Sequence, residues 1–509
     1  MRNLVVCCDG TWNAPEDMKS GVPVPTNVVR LYNSLAEADA QGSPQIGYYH
    51  PGVGTEGGFL KRLWEGGVGA GLDRNIMSAY RWLAAHYRTG DRLFLFGFSR
   101  GAFTVRSLGG MMSACGLLDL SGLDDSEAWR RVEAAYREGY RRRKGDWVRG
   151  WAFHGGEGPG GIVPIHFLGV WDTVGALGIP DDLGVLDLLD FPSRYRFHHT
   201  ELGKNVLNAR HAVALDEKRA SFTPTLWTAR EELSTVKQIW FPGVHCDVGG
   251  GYAQKGLSDG ALKWMMDEAA ALGLALEPEM AAQLRPDFRD VLHDSAAGVF
   301  KLFRTQPRSV PLLTDQAALH ELTLKRRDAP PIAQAPYRPS FRLAPGEEKT
   351  LSIFAAQHWN DTGIYLEAGA HYAFKASGEW LDSTVKCGPG GPKAGFQPGK
   401  AAYFLASLGA LGVKLVRMLP RLQGTKLGMR REENMPWFAL VGAIANGGNP
   451  KLDGTPQPHE TFLVGEACEY PAEGVKLAKP GYLYCFANDL WRMYGNNRGQ
   501  VTLTVRRLE

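Results

Sequence analysis

Arg92-Leu93-Phe94-Leu95-Phe96-Gly97-Phe98-Ser99-Arg100-Gly101-Ala102 is the stretch on which the reading of the fold turns. An apolar run ends in Gly-x-Ser-x-Gly, and Ala102 to Cys115 continues with helical spacing. Strand, tight turn and helix in that order make a nucleophile elbow. The glycines let the backbone pack closely around a strained turn that lifts the serine hydroxyl above the sheet edge. Ser99 is therefore the expected nucleophile.

Outward from this turn, Leu4 to Cys8, Ile165 to Trp171 and Val236 to Phe241 read as further strands, and Asn75 to Tyr87 reads as a helix. Strands separated by helices mean crossover connections and a mostly parallel sheet. The fold class expected is α/β, an α/β-hydrolase-like sheet with helical insertions, followed by a C-terminal all-β sandwich. Residues 1–330 form the expected catalytic domain, with a helical insertion at about 117–160 and a helical tail at about 262–330. Pro330, Pro331, Pro336, Pro339 and Pro345 mark a linker over 331–347. Beyond it, Tyr372 to Phe374, Tyr482 to Phe486 and Val501 to Val505 alternate as strands of a sandwich over 348–509.

An activated serine needs a base, and the base needs an orienting acid. Two later strand ends supply them: Asp172, after Phe167 to Trp171, and His245, after Trp240 to Val244. Ligands collect at the carboxyl ends of parallel strands, so Ser99, Asp172 and His245 are expected to converge. Asp216 is a rival acid and His211 a rival base, both from the run His211 to Asp216. The oxyanion hole takes one N–H from Arg100, and a second from Gly10 or Thr11 after the first strand. The other reading of Asp9-Gly10-Thr11 is a turn stabilised by Asp9.

Composition excludes several alternatives. Of 509 residues 44% are apolar and 22% charged, and the formal charge is only +3, so no nucleic-acid partner is implied. Seven cysteines with no CxxC pair suggest neither a disulfide framework nor a zinc ribbon. Cys7 stands where an aspartate-nucleophile phosphatase needs a second Asp. Gly66 to Gly71 lacks the Gly-Lys-Ser/Thr of a phosphate loop. The N-terminal apolar run is too short for a signal-peptide core, and no run spans a bilayer, so synthesis and folding in the cytosol are expected. The triad chemistry needs no cofactor.

Between Thr384 and Arg431 no acidic residue occurs. Phe404, Leu408, Leu411, Leu415, Leu419 and Leu422 lie three or four apart, with Lys414, Arg417 and Arg421 on a neighbouring stripe. This basic amphipathic insertion, about 390–431, suits either an anionic membrane surface or packing on the hydrolase domain.

Asp9 to Asn13, Thr26-Asn27-Val28, Gly97 to Ala102, Trp171 to Gly175, Ala214 to Glu217, Gly243 to Tyr252 and Leu257-Ser258-Asp259 together resemble the α/β-hydrolase family associated with type VI secretion phospholipase effectors. The resemblance covers roughly residues 1–275. It implies a triad on Ser99, Asp172 and His245, a phospholipid or other ester substrate, export by a signal-independent type VI route, and a secretion or immunity partner. The C-terminal stretch Asn488 to Asn497 with the strand Val501 to Val505 resembles calcium-dependent galactose-binding bacterial lectins. That resemblance implies a Ca²⁺ held by Asp489, Asn496 and Asn497 with the Met493 carbonyl, and a carbohydrate ligand. Alternatives to a phospholipase are a short-chain carboxylesterase, or a carbohydrate- or membrane-binding protein with an inactive hydrolase domain.

Overall fold

The computed structural model describes residues 1–10, 18–19, 22–52, 68–142, 147, 150–155, 161–175, 202–228, 235–297, 304–392, 431–451, 456–491 and 493–509. The chain divides into two compact units. The first comprises 1–304, 315–337 and 448–457, and the second 305–314, 338–447 and 458–509.

The first unit is built on six strands: β1 (Asn3–Cys8), β2 (Gln45–His50), β3 (Arg92–Phe98), β4 (Ile165–Trp171), β5 (Ala209–Ala214) and β6 (Val236–Phe241). They pair in the order β6-β5-β4-β3-β1-β2, every pair parallel. Helices α1 (Asn27–Tyr32), α2 (Val68–His86), α3 (Arg100–Cys115) and α4 (Asp125–Ala134) precede the histidine. Then come α5 (His245–Gly249), α6 (Gly256–Ala270) and α7 (Glu321–Asp328).

β1 has no polar face because both faces are covered. Leu4, Val6 and Cys8 pack with Leu72, Ile76 and Leu108 of α2 and α3. Val5 and Cys7 pack with Val28, Leu262 and Met265 of α1 and α6. A continuous apolar strand is what a sheet sandwiched between helix layers requires. The insertion after α3 holds α4, running on into a π-helical turn at Ala135–Arg141, and a two-residue pairing of Leu117–Leu118 with Phe153–His154.

The expected helical tail is helical only in part. After α6 come a single turn at Pro278–Ala282 and then α7. The described residues between those two are turns and irregular chain.

The second unit carries two antiparallel sheets. Its strands are β7 (Glu348–Phe354), β8 (Asn360–Leu366), β9 (Tyr372–Asp382), β10 (Val385–Gly388), β11 (Gly391–Pro392), β12 (Leu440–Ile444), β13 (Glu460–Leu463), β14 (Ala467–Tyr470), β15 (Gly481–Ala487) and β16 (Asn497–Arg507). One sheet runs β7-β16-β9-β10-β11, with β14 also on β9, and the other β8-β15-β12-β13. Ile353, Phe374 and Leu503 of the first share a core with Ile364, Leu440 and Leu483 of the second, as in a sandwich. The basic amphipathic stretch 393–430 lies outside the described residues. Among the described residues no helix is long and apolar enough to cross a membrane.

Candidate active site

β3 hands directly to α3 through Ser99, which adopts φ 56°, ψ −118° and makes no side-chain hydrogen bond to cap the helix. The hydroxyl is therefore not spent on the helix it precedes. The turn closes because its glycines are bare. A Cβ on Gly97 would lie 2.5 Å from the Gly101 carbonyl oxygen, and one on Gly101 would lie 2.0 Å from that of Cys8. So the elbow presses onto the end of β1 with no room for a methyl group.

β3 and β4 pair with Phe98 opposite Trp171, which sets Ser99 beside Asp172, and the Ser99 N–H donates to the Trp171 carbonyl at 3.1 Å. Asp172 has φ 38° and no exposed surface. Its own N–H reaches back to the Ala212 carbonyl at 2.8 Å, and its Oδ1 accepts the Ala214 N–H at 2.9 Å. Oδ2 lies 2.6 Å from His245 Nδ1. His245 opens α5, two strands further along the sheet. Phe98 packs over its ring at 4.6 Å and 33°, while Phe222 meets it edge-on at 5.0 Å and 79°. Burial is the largest influence on this imidazole and holds its pKa below the ordinary value, although the Asp172 hydrogen bond and charge pull the other way. A neutral ring beside a buried carboxylate is what a general base requires.

The rivals have other work. His211 accepts the Thr173 N–H at Nε2 (3.1 Å), and its Nδ1 lies 3.4 Å from Gln238. Asp216 accepts the Gly243 N–H and the Tyr337 hydroxyl, both at 2.7 Å. Both hold loops around the strand ends. Arg100 begins α3, two residues ahead of the helix start expected at Ala102. The Gly10 N–H, expected in the oxyanion hole, donates to Asp9 Oδ1 at 2.6 Å, which is the turn reading. Asp9 Oδ2 takes the Thr26 and Tyr49 hydroxyls at 2.6 and 3.0 Å. Thr11 lies outside the described residues.

Two groups around His245 escaped the sequence reading. Asp247 binds Val244 N–H at the start of α5 and lies 2.6 Å from His293 Nδ1. Glu217 and Arg219 form an ion pair of 2.8 Å under the histidine backbone. Glu217 and Asp247 stood inside quoted motifs, but only the fold shows what they touch.

In the second unit the residues expected to hold calcium form two hydrogen-bonded pairs, Asp489 with Asn497 and Asn496 with the Met493 carbonyl. Asp489 Oδ1 accepts the Leu490 N–H at 2.7 Å and Oδ2 the Asn497 amide at 3.0 Å. The Asn496 amide donates to Asp382 Oδ1 at 3.0 Å, and the Asn496 N–H to the Met493 carbonyl at 3.2 Å. The side-chain oxygens of Asn496 and Asn497 are buried without a partner. Burial raises the Asp489 carboxyl to about 6. Unsatisfied amide oxygens next to a buried carboxylate fit a hard cation. Among the described residues no three His, Cys, Asp or Glu converge on a metal site, so such a cation would lean on amide and carbonyl oxygens.

A protein of Saccharomyces cerevisiae described as uncharacterized is 33% identical over 244 residues, covering 45% of this chain. The chain spans 33% of that relative's length. A solved uncharacterized protein from Pseudomonas aeruginosa is 20% identical with a TM-score of 0.35, covering 56% of this chain and 49% of that one. The Tle1 effector solved bound to the VgrG spike of the type 6 secretion system is 16% identical with a TM-score of 0.35, covering 56% and 76%. The family model described as type VI secretion phospholipase effector, Tle1-like, catalytic domain matches residues 2–268. That match runs from the first strand past Ser99, Asp172 and His245 and takes in more than half of the sequence, so the chain belongs to the Tle1-like family of type VI secretion phospholipase effectors.

Proposed function

We propose that the chain hydrolyses acyl esters of phospholipids by a serine mechanism, with Ser99 as nucleophile, His245 as base and Asp172 as its orienting acid. The observation that carries this is the 2.6 Å hydrogen bond between buried Asp172 Oδ2 and His245 Nδ1, formed at the strand ends where Ser99 also sits. A carboxylate on Nδ1 leaves Nε2 as the acceptor nitrogen. Nε2 takes the Ser99 proton as Oγ attacks the ester carbonyl, and Asp172 stabilises the imidazolium that results. The Arg100 N–H, at the start of α3, receives the developing oxyanion. The proton then passes to the leaving alcohol. Water, deprotonated by the same imidazole, releases the fatty acid and restores Ser99. Family membership supports the ester and lipid part of the reading; the residue roles rest on the geometry.

We also propose export by the type VI route and a secretion or immunity partner, a reading that the family match supports. The basic stretch near 400–431 is the proposed contact with an anionic membrane. The unsatisfied Asn496 and Asn497 oxygens favour a second reading for the other unit: Asp489, Asn496, Asn497 and the Met493 carbonyl hold Ca²⁺, and the sandwich binds sugar beside it. The cation would supply charge that organises this loop.

The test is fatty-acid release from mixed phospholipid vesicles by wild type and Ser99→Ala, with and without Ca²⁺. Release that vanishes in the variant is expected. Release from neither, with hydrolysis of short soluble esters that Ser99→Ala abolishes, would replace the phospholipase by a carboxylesterase. Equal activity of both proteins would refute the serine mechanism.

A further inference from the structure

His245 is held by more than Asp172. Its backbone N–H donates to Glu217 Oε2 at 3.3 Å, and Glu217 is 1% exposed. The other bonds to that carboxylate are charge-assisted or short. Oε1 accepts the Arg219 N–H (2.8 Å), Arg219 Nε (3.0 Å) and the Ser295 hydroxyl (2.8 Å), and Oε2 accepts Arg219 Nη2 (2.8 Å). The Arg219 guanidinium lies 3.5 Å from the Phe222 ring centroid, and Phe222 stands edge-on to the imidazole. The ion pair thus reaches the base by two routes, its main chain and the aromatic wall of its ring. Buried ion pairs contribute little net stability over apolar residues of the same volume, so fold stability alone is a weak reason for this one.

We propose that Glu217 and Arg219 are positioning residues for His245: Glu217 fixes its backbone, and Arg219, steered by Glu217 and stacked on Phe222, sets a fixed positive charge beside its ring. This rests on His245 being the base. The charged and titratable groups that bear on the ring are Asp172 from the end of β4, and Glu217 and Arg219 from the loop after β5. Cys246 and Tyr252 bear on Arg219, and Asp294, paired with Lys218, bears on Glu217. Burial lowers the imidazole pKa most; Arg219 lowers it further, while Asp172 and Glu217 raise it. The two members of the pair therefore push a proton on His245 in opposite directions.

The experiment is kcat/KM against pH on a soluble short-chain p-nitrophenyl ester, using the full chain and the variants Arg219→Gln, Arg219→Lys, Glu217→Gln and Glu217→Gln/Arg219→Gln. Relative to wild type, the acid limb should move to higher pH in Arg219→Gln, by about half a unit or more. It should stay in place in Arg219→Lys and move to lower pH in Glu217→Gln. In the double variant the opposing shifts should largely cancel, with kcat reduced because a neutral amide, unsteered by Arg219, holds the His245 backbone less firmly. Reduced activity in every variant with an unmoved limb would overturn the proposal. So would failure of all four variants to fold, which would make the pair purely structural. Full activity in His245→Gln or Ser99→Ala controls would instead sink the assignment of the base and nucleophile, whatever the pair does.

Discussion

Ser99 and Asp172 both carry side chains at positive φ, 56° and 38°, where the Cβ crowds the backbone at a cost of about 1–3 kcal/mol each. The surroundings over-determine both. The glycine-lined turn holds the serine, and Asp172 is pinned through its N–H and Oδ1 to β5. Replacing Asp172 by Asn removes the acceptor that selects the imidazole tautomer while keeping the shape. Ester hydrolysis should fall by about 10⁴-fold with folding intact, as read by steady-state rates and circular dichroism. The buried imidazole binds a proton less readily when folded than when unfolded. Hence the acid limb of kcat/KM should lie below the ordinary histidine range. The matching share of stability is fully present above the unfolded value and drains away as pH falls through it toward the folded one. The strand-end positions of Ser99, Asp172 and His245 were legible in the sequence because each stands at or just after an apolar run that reads as a strand. Glu217 and Arg219 were not, since two charges in a polar loop look solvated until the fold closes over them.

At the scale of elements, the same rule explains which strands could be read. β1, β3 and β4 stand out as apolar runs, and β6 by its apolar second half, Ile239-Trp240-Phe241. β5 is fully buried yet contains Arg210 and His211, and the structure accounts for both: Arg210 pairs with Glu268 at 2.5 Å, and His211 accepts the Thr173 N–H. β2 is an edge strand, half-buried along its length, and its Gln45 and His50 hide it. The junction of β1 with α3 is the least forgiving contact. Gly101→Ala would drive a methyl group against the Cys8 carbonyl, so the elbow must move. Overpacking of this kind costs about 1–3 kcal/mol, and more where the neighbour is rigid backbone. A lowered thermal midpoint is expected, together with loss of esterase activity at temperatures where the variant is still folded. An alanine tolerated with full activity would mean that the elbow packs more loosely than described.

At the scale of the whole molecule, the Asp489 carboxyl gives the second unit a pH dependence of opposite sign to that of His245. A carboxyl raised to about 6 by burial favours folding while protonated, and that contribution is lost as pH climbs through about 6. In chelator, the melting temperature of this unit should drop as pH rises from about 5 to about 8. Calcium at about 100 times its dissociation constant should restore about 2.7 kcal/mol. Asp489→Asn should weaken both responses, measured by calorimetry with and without calcium. The division into units also bears on how the gene can be cut. Residues 448–457 belong to the first unit although they follow β12 of the second, and Asn449 there clamps both main-chain groups of Leu226 at 2.8 Å. Leu226 adjoins Thr225, whose N–H donates to the carbonyl of Thr173, next to Asp172. A reading frame stopped after residue 337 would keep Ser99, Asp172 and His245 and still lose that clamp. The shortened enzyme should therefore be less stable and less active than its intact parent, and modular swapping of this hydrolase onto other carriers must bring the later segment along.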